Sequence, residues 1–416
     1  MLPVAAAIDE VLGRVRQAPS DLVPLADALA RVLAGDIRVA ADVPAFANSQ
    51  MDGVAVRAQD LAGASEEHPI FLPLGETLGA GDDGETPLRA GQACRIMTGA
   101  PLPPGADAVV AVEDLLGEAP SGHAGFSRPV KPGKFVRPAG EDMAAGSLAL
   151  AAGRRLRPAD IGLLAALGRA EVSCVRPPRV AVLGTGSELV PLGQPLTRGK
   201  IHDSNAWALA AAVSELGAVP IQAGRVPDSR EALKVAFADA LACDVVLSTG
   251  GVSVGDFDYV KEVMAEIGLE QHFWRVAQKP GKPLTFATAR EGQLFFGLPG
   301  NPVSAMVCFE LYVAPALRAM TGRRDIHLPW ADVGLARDIR TVETFAEMVR
   351  CRVVTRGMPP EVEPTGTQSS GALRSLSLAD CLVISPPGVA RLRAGDRARA
   401  IFLRSESLCG SRHAFG

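Results

Sequence analysis

Aromatic residues are scarce, at 5% of 416 positions, and the formal net charge at pH 7 is only −4. With few rings to stack on bases and no long basic stripe, nucleic acid is not expected as a partner. Histidine occurs six times and cysteine seven, all dispersed and without a Cys-x-x-Cys pair. That pattern argues against a zinc site and fits reduced thiols packed as small apolar residues. No Ser-His-Asp or Cys-His grouping stands out. Gly184-Thr-Gly186 lacks the third glycine of a dinucleotide fingerprint, and no Gly-Lys-Ser/Thr phosphate loop occurs. No apolar run reads as a bilayer span, and no basic segment precedes an apolar core at the N-terminus. Neither a membrane helix nor a signal peptide is therefore expected, and a cytoplasmic location is the default.

What is present is a set of strands that end in glycine. Val245-Val-Leu-Ser-Thr-Gly-Gly251 is an apolar, β-branched run breaking into a turn, followed by Asp256 and Asp258 at a helix start. Arg179-Val-Ala-Val-Leu-Gly-Thr-Gly-Ser-Glu188 and Leu294-Phe-Phe-Gly-Leu-Pro-Gly-Asn-Pro-Val-Ser304 have the same form. Amphipathic stretches at 204–216, 229–242 and 258–267 alternate with them. This order predicts a doubly wound α/β domain with a parallel sheet, whose ligand crevice lies beyond the strand carboxyl ends.

A chain of this length divides into several domains. Val4, Ile8, Val11, Leu12 and Val15 share a helical face, and 25–33 repeats the pattern before Gly35, so an N-terminal helical region is expected over 1–53 and 140–176. Residues 54–139 carry short apolar runs punctuated by proline and glycine and read as an inserted β-rich module. Arg176-Pro-Pro-Arg179 marks entry to the α/β domain, 177–325. Residues 326–416, with strand-like runs at 348–354, 381–384 and 400–403, read as a C-terminal all-β domain.

Glu188, Asp203, Asp228 and Asp256 all fall next to turns at element ends, near Lys279-Pro-Gly-Lys-Pro283. Helix capping is the plain explanation for the acids. Carboxylates converging on one pocket would instead repel one another unless a hard cation sat among them. Magnesium typically uses one or two carboxylates plus phosphate oxygens, and two lysines around a rigid Pro-Gly could hold the same anion.

Eight strings, in order, carry a resemblance: Asn48-Ser-Gln-Met-Asp-Gly53, Met97-Thr-Gly-Ala100, Gly140-Glu-Asp142, Gly184-Thr-Gly-Ser-Glu-Leu189, Asp203-Ser-Asn205, Thr249-Gly-Gly-Val-Ser-Val-Gly-Asp256, Lys279-Pro-Gly-Lys-Pro283 and Leu298-Pro-Gly-Asn-Pro-Val-Ser304. Together they resemble the molybdopterin molybdenumtransferase family, which includes the E domain of gephyrin. Val54 and Ser248-Thr249 depart slightly from its usual pattern.

The resemblance implies that adenylylated molybdopterin loses AMP while molybdate is inserted, with a divalent metal such as Mg2+. It implies catalytic roles for Asp52, Thr98, Asp142, Asp256, Lys279 and Lys282, and metal ligation by Glu188 and Asp256. Substrate binding falls to Gly184, Thr185, Gly186, Ser187, Glu188, Asp203, Asp228, Thr249, Gly250, Gly251, Ser253, Pro299, Gly300, Asn301, Pro302 and Ser304. Molybdate falls to Lys279, Lys282, Arg350 and Ser370. A homodimer with shared sites is implied, as is contact with the adenylyltransferase that supplies the substrate and the molybdoenzymes that receive the cofactor. The alternatives are an adenylyltransferase, whose fold resembles 178–322 alone, and a non-catalytic scaffold.

Overall fold

The computed structural model describes residues 1–227, 229–250, 257–355 and 359–403. The chain forms two compact units. One comprises Met1–Gly35, Ala152–Gly162 and Arg169–Gly416, the other Asp36–Ala151 and Leu163–Gly168.

At the centre of the first unit is a six-stranded sheet in the order Val219–Val226, Arg179–Thr185, Val245–Thr249, Leu294–Leu298, Pro283–Thr288, Glu270–Arg275. The first four strands are parallel, as the alternation of elements predicts. The last two pair antiparallel with their neighbours, so the sheet is mixed. Sequence patterning passed over Glu270–Arg275 because it is a polar edge strand with one buried residue, Phe273. All five residues of Val245–Thr249 and of Leu294–Leu298 are buried.

Period-two alternation divides the strands between two cores. Val182, Leu247 and Phe296 meet Leu209 and Val213 of helix Ser204–Glu215 and Val303 and Val307 of helix Pro302–Cys308. Leu183, Val246 and Phe295 face the other way, onto Leu233 and Phe237 of helix Arg230–Ala240 and Val263 and Met264 of helix Phe257–Glu266. Phe237 packs edge-on against Phe295, with ring centroids 5.0 Å apart and planes at 69°. Helix Val4–Leu12 adds Ala7 and Val11 to the first of these cores.

Two expectations are corrected. Residues 25–33 do not form a helix. Strand Ser20–Pro24 pairs antiparallel with Glu171–Val175, a short 3-10 turn follows over Leu25–Asp27, and Ala30 takes φ 64°. A left-handed Ala30 cannot sit inside a right-handed helix, and the apolar spacing instead buries Val23, Ala28, Val32 and Leu33. In addition, Pro302–Met320, 19 residues with mean hydropathy 1.4, is long and apolar enough to cross a bilayer, contrary to the sequence reading. Its apolar stretch is 83% buried, as for a core helix. Pro315 lacks an amide to give to the preceding turn, and Phe309–Val313 widens into π geometry ahead of it.

The C-terminal part is all-β apart from one short helix, Leu373–Ser377. Ala346–Thr355, Glu361–Pro364, Trp330–Leu335, Arg397–Phe402 and Cys381–Ser385 pair in sequence around a ring, which Ala346–Thr355 closes by pairing with Cys381–Ser385. Val349, Cys351, Val362, Val383 and Phe402 fill it. The second unit is β-rich, its main sheet running Ala108–Ala111, Gly53–Val56, Ala93–Ile96, Ile70–Leu78, His123–Phe126. All six described cysteines are buried free thiols, and Cys409 lies outside the described residues.

Phe295 fills the space between a central strand and two helices. Phe295→Ala should lower stability by about 3–5 kcal/mol, whereas Trp207→Ala, at a 53% exposed position, should change it far less. Urea denaturation of the two variants checks the contrast.

Candidate functional site

The carboxyl ends of Arg179–Thr185, Val245–Thr249 and Leu294–Leu298 lie side by side, because these strands are parallel neighbours in the sheet. Side chains then fasten their loops together. Asn205, in the first turn of helix Ser204–Glu215, donates through Nδ2 to Thr249 Oγ1 and to the Gly300 carbonyl, both at 2.8 Å. Thr249 Oγ1 donates onward to the Pro299 carbonyl at 3.2 Å, and Thr185 Oγ1 donates to the Thr249 carbonyl at 3.3 Å. Gly250, at φ 93°, lies so close that a Cβ there would stand 2.2 Å from the Thr185 carbonyl oxygen. Only glycine fits that position.

Asp203 caps the helix that carries Asn205, its Oδ1 accepting the Ala206 amide at 3.0 Å. The plain capping explanation thus holds for Asp203, and through the cap it orients Asn205. Gly184 and Gly186 lie where Arg179–Thr185 ends. Ser187 and Glu188 follow, both exposed, and the Ser187 carbonyl accepts Lys200 Nζ at 2.5 Å. Asn301 stands at the N-cap of helix Pro302–Cys308, with Pro302 in its first turn and Ser304 buried just behind.

Lys279 and Lys282 sit on a loop that joins the barrel to the sheet. Gln278–Lys279 pairs in parallel with Ala346 and Glu347 at the start of the long barrel strand, and Pro283 opens the next strand of the central sheet. Buried contacts fix the loop from below. Gln278 is fully buried, donates through Nε2 to the Pro280 carbonyl at 3.0 Å and accepts the Tyr312 hydroxyl. Gly281, at φ 92°, passes so near helix Pro302–Cys308 that a Cβ would come within 2.5 Å of Cys308 Sγ. Burial pushes both the Cys308 thiol and the Tyr312 phenol well above their ordinary values, so both stay protonated hydrogen-bond partners. Above this floor, Lys279 Nζ meets Glu347 Oε1 at 3.0 Å, and Lys282 Nζ lies 5.1 Å from the centre of the Phe345 ring.

Arg350 is fully buried. Its Nε donates to Ser375 Oγ at 2.7 Å and its Nη2 to the carbonyls of Thr367 and Ser369 at 3.1 Å each. Burial lowers its affinity for the proton relative to a free guanidinium. Here the arginine holds the loop that presents Ser370, whose carbonyl accepts the Val303 amide at 3.1 Å. Barrel and helix Pro302–Cys308 thereby meet beside the lysine loop.

In the second unit Asp52 and Thr98 come together: Asp52 Oδ1 accepts the Thr98 amide and the Thr98 hydroxyl, each at 2.8 Å. These donors, the amide foremost, hold the Asp52 carboxyl below its ordinary value of 3.8. Asp142, exposed in the same unit, gives its amide to the Val43 carbonyl at 3.0 Å. Asp228, Gly251, Ser253 and Asp256 lie outside the described residues.

Asn205 and Glu347 were missed as site residues. The Asp203-Ser-Asn205 string was the available signal for the first. Nothing local marks Glu347, whose partner lies 68 positions earlier.

Sequence models of three families match the chain: the MoeA N-terminal region (domain I and II) over residues 2–168, a probable molybdopterin binding domain over 181–319, and the MoeA C-terminal region (domain IV) over 332–403. A molybdopterin molybdenumtransferase of Bacillus subtilis (strain 168) is 36% identical over 409 residues, covering 98% of this chain and 95% of that protein. One from Nostoc sp. is 41% identical over 309 residues, 74% of this chain and 70% of the other. Among solved structures, the molybdopterin biosynthesis MoeA protein from Pyrococcus horikosii superposes with a TM-score of 0.87 at 33% identity, over 97% of this chain and all of that one.

Removing the clamp tests its role. Asn205→Ala should cost about 0.5–1.5 kcal/mol of stability, the net range for a partly exposed hydrogen bond, and should loosen the 249–250 and 299–300 loops, read as faster amide exchange there than elsewhere in the sheet. The Asp52 titration should have its midpoint below pH 3.8, so that its bonds from Thr98 persist above that pH and are lost as pH falls through the lowered value. Thr98→Val, which exchanges only the hydroxyl for a methyl and keeps the amide donor, should move the midpoint part of the way back. Carboxyl chemical shifts against pH measure both.

Proposed function

The chain belongs to the molybdopterin molybdenumtransferase family, and on that premise we propose that it inserts molybdate into adenylylated molybdopterin with release of AMP. It is a transferase of molybdenum cofactor biosynthesis. The observation that carries the detailed reading is the clamp of Asn205 on Thr249 and Gly300, which fastens two glycine loops at one sheet edge while the Thr185 hydroxyl ties in the third.

We assign the pterin nucleotide to the loops at Gly184–Glu188, Thr249–Ser253 and Pro299–Ser304, where turning backbone can approach phosphate closely. Lys279, Lys282 and the Ser370 loop are assigned to the oxyanion, with Arg350 keeping that loop in place rather than touching the anion. The two lysines offset charge that grows on the leaving phosphate as the bond to AMP breaks.

Among the described residues no three His, Cys, Asp or Glu side chains cluster as a metal site. Glu188 is an exposed carboxylate beside the first loop. A hard cation that takes one or two carboxylates and completes its shell with water and phosphate oxygens fits such a sparse donor set, with Glu188 and Asp256 as the holders. When bound, magnesium would supply charge neutralisation at the pyrophosphate.

Asp52, Thr98 and Asp142 are assigned to the site of the opposite subunit in a homodimer. The Asp52–Thr98 pair fits that role because it fixes an ionised carboxylate on an exposed turn. A cytoplasmic setting, with transient contact to the adenylyltransferase and to recipient molybdoenzymes, belongs to the same reading. Matches on both sides of the molybdopterin-binding region weigh against a lone adenylyltransferase.

Purified protein supplied with adenylylated molybdopterin, molybdate and magnesium should release AMP. Asp256→Ala and Asp52→Ala should each reduce release by at least about a hundredfold, the scale of losing a group that stabilises transition-state charge. Co-assembled, the two variants should recover activity, since one site in a mixed dimer is intact. Recovery no greater than either variant alone would sink the shared site.

A further inference from the structure

Building on the oxyanion reading of Lys279 and Lys282, we infer that Glu347 is a positioning residue that tempers this anion site by pinning the Lys279 ammonium and offsetting its charge. The two lysines lie three positions apart and are treated differently by the fold. Lys279 is in strand register with Glu347 and in contact with it at 3.0 Å. Lys282 lies over the Phe345 ring and has no ion pair among the described residues. Glu347 is 3% exposed, and its second oxygen accepts the Val342 amide at 2.8 Å, so the carboxylate cannot rotate away from the lysine. The Lys279 side chain is 46% exposed, which leaves part of its ammonium open to a ligand from solvent.

The arrangement has a direct electrostatic consequence. A dianion approaching Lys279 meets an ammonium whose charge is already shared with a carboxylate that cannot leave, because an isolated buried carboxylate is costly. Lys282 supplies the uncompensated attraction, and Lys279 supplies a fixed donor with little net charge. An oxyanion held this way exchanges readily instead of being trapped, as a molecule that must be handed on requires.

Glu347→Gln keeps the shape and an oxygen to accept the Val342 amide while deleting the charge. Equilibrium titration with sulfate and with molybdate, no pterin present, should show both binding about two- to fivefold more tightly than in the wild-type protein, the scale of one half-exposed ion pair. Their affinities should also fall more steeply with ionic strength. Glu347→Asp, which retains the charge but withdraws it by one methylene, should fall between the two. A purely structural role predicts the opposite sign, since a damaged pocket weakens binding. Unchanged or weaker anion binding in Glu347→Gln of wild-type melting temperature overturns the proposal. Lys279→Ala and Lys282→Ala separate it from the reading beneath: if neither weakens sulfate binding, the oxyanion site falls and the role of Glu347 with it. If they weaken it and Glu347→Gln does not tighten it, only Glu347 is misassigned.

Discussion

Everything at the candidate site depends on how the chain passes from barrel to sheet within six residues. Gln278–Lys279 is a strand of the barrel sheet and Pro283–Thr288 a strand of the central sheet, so both lysines lie on the link between two layers that cannot shift independently. Gln278 makes the link rigid. Buried with an amide, a phenol and a thiol around it, it has no alternative partners in water, and moving the loop would strand several polar groups at once. Lysines alone would be floppy point charges; here their backbone is as fixed as the core.

A second fastening acts on the loops at the carboxyl edge of the sheet. One amide nitrogen of Asn205 bonds both Thr249 and Gly300, in two loops far apart in sequence, and Asp203 at the cap sets where that nitrogen points. Both fastenings are side-chain amides that donate to a backbone carbonyl, a buried one at Pro280 and an exposed one at Gly300. Neither amide itself changes protonation with pH, while the cap that orients Asn205 is a carboxylate.

Much of this was legible in the sequence, for physical reasons. Val245–Thr249 and Leu294–Leu298 are buried on both faces, and continuous apolar runs announce that; the glycines after them announce close backbone approach. The thiols read as core residues, and the six described ones are buried. What escaped notice was decided by partners distant in sequence. Apolar spacing in 25–33 serves strand pairing and a left-handed Ala30 as well as it would serve a helix, and only the distant strand Glu171–Val175 breaks the tie. Arg350 was read as an anion ligand from its residue type, and only the fold shows that Ser375, Thr367 and Ser369 also hold its Nε and Nη2. Glu347 looked like any strand glutamate until Lys279 arrived beside it.

The barrel strand Ala346–Thr355 bears on a different matter. Along one side it pairs with Cys381–Ser385 over residues 347–351; along the other, Glu361–Pro364 reaches only residues 351–355. On that side Gln368 already bonds the amide and carbonyl of Arg350; the stretch before it would otherwise be an open strand edge, the kind that recruits another chain. Gln278–Lys279 covers it at Ala346 and Glu347. The two-residue strand that carries Lys279 therefore also occupies part of a strand edge that would otherwise be open.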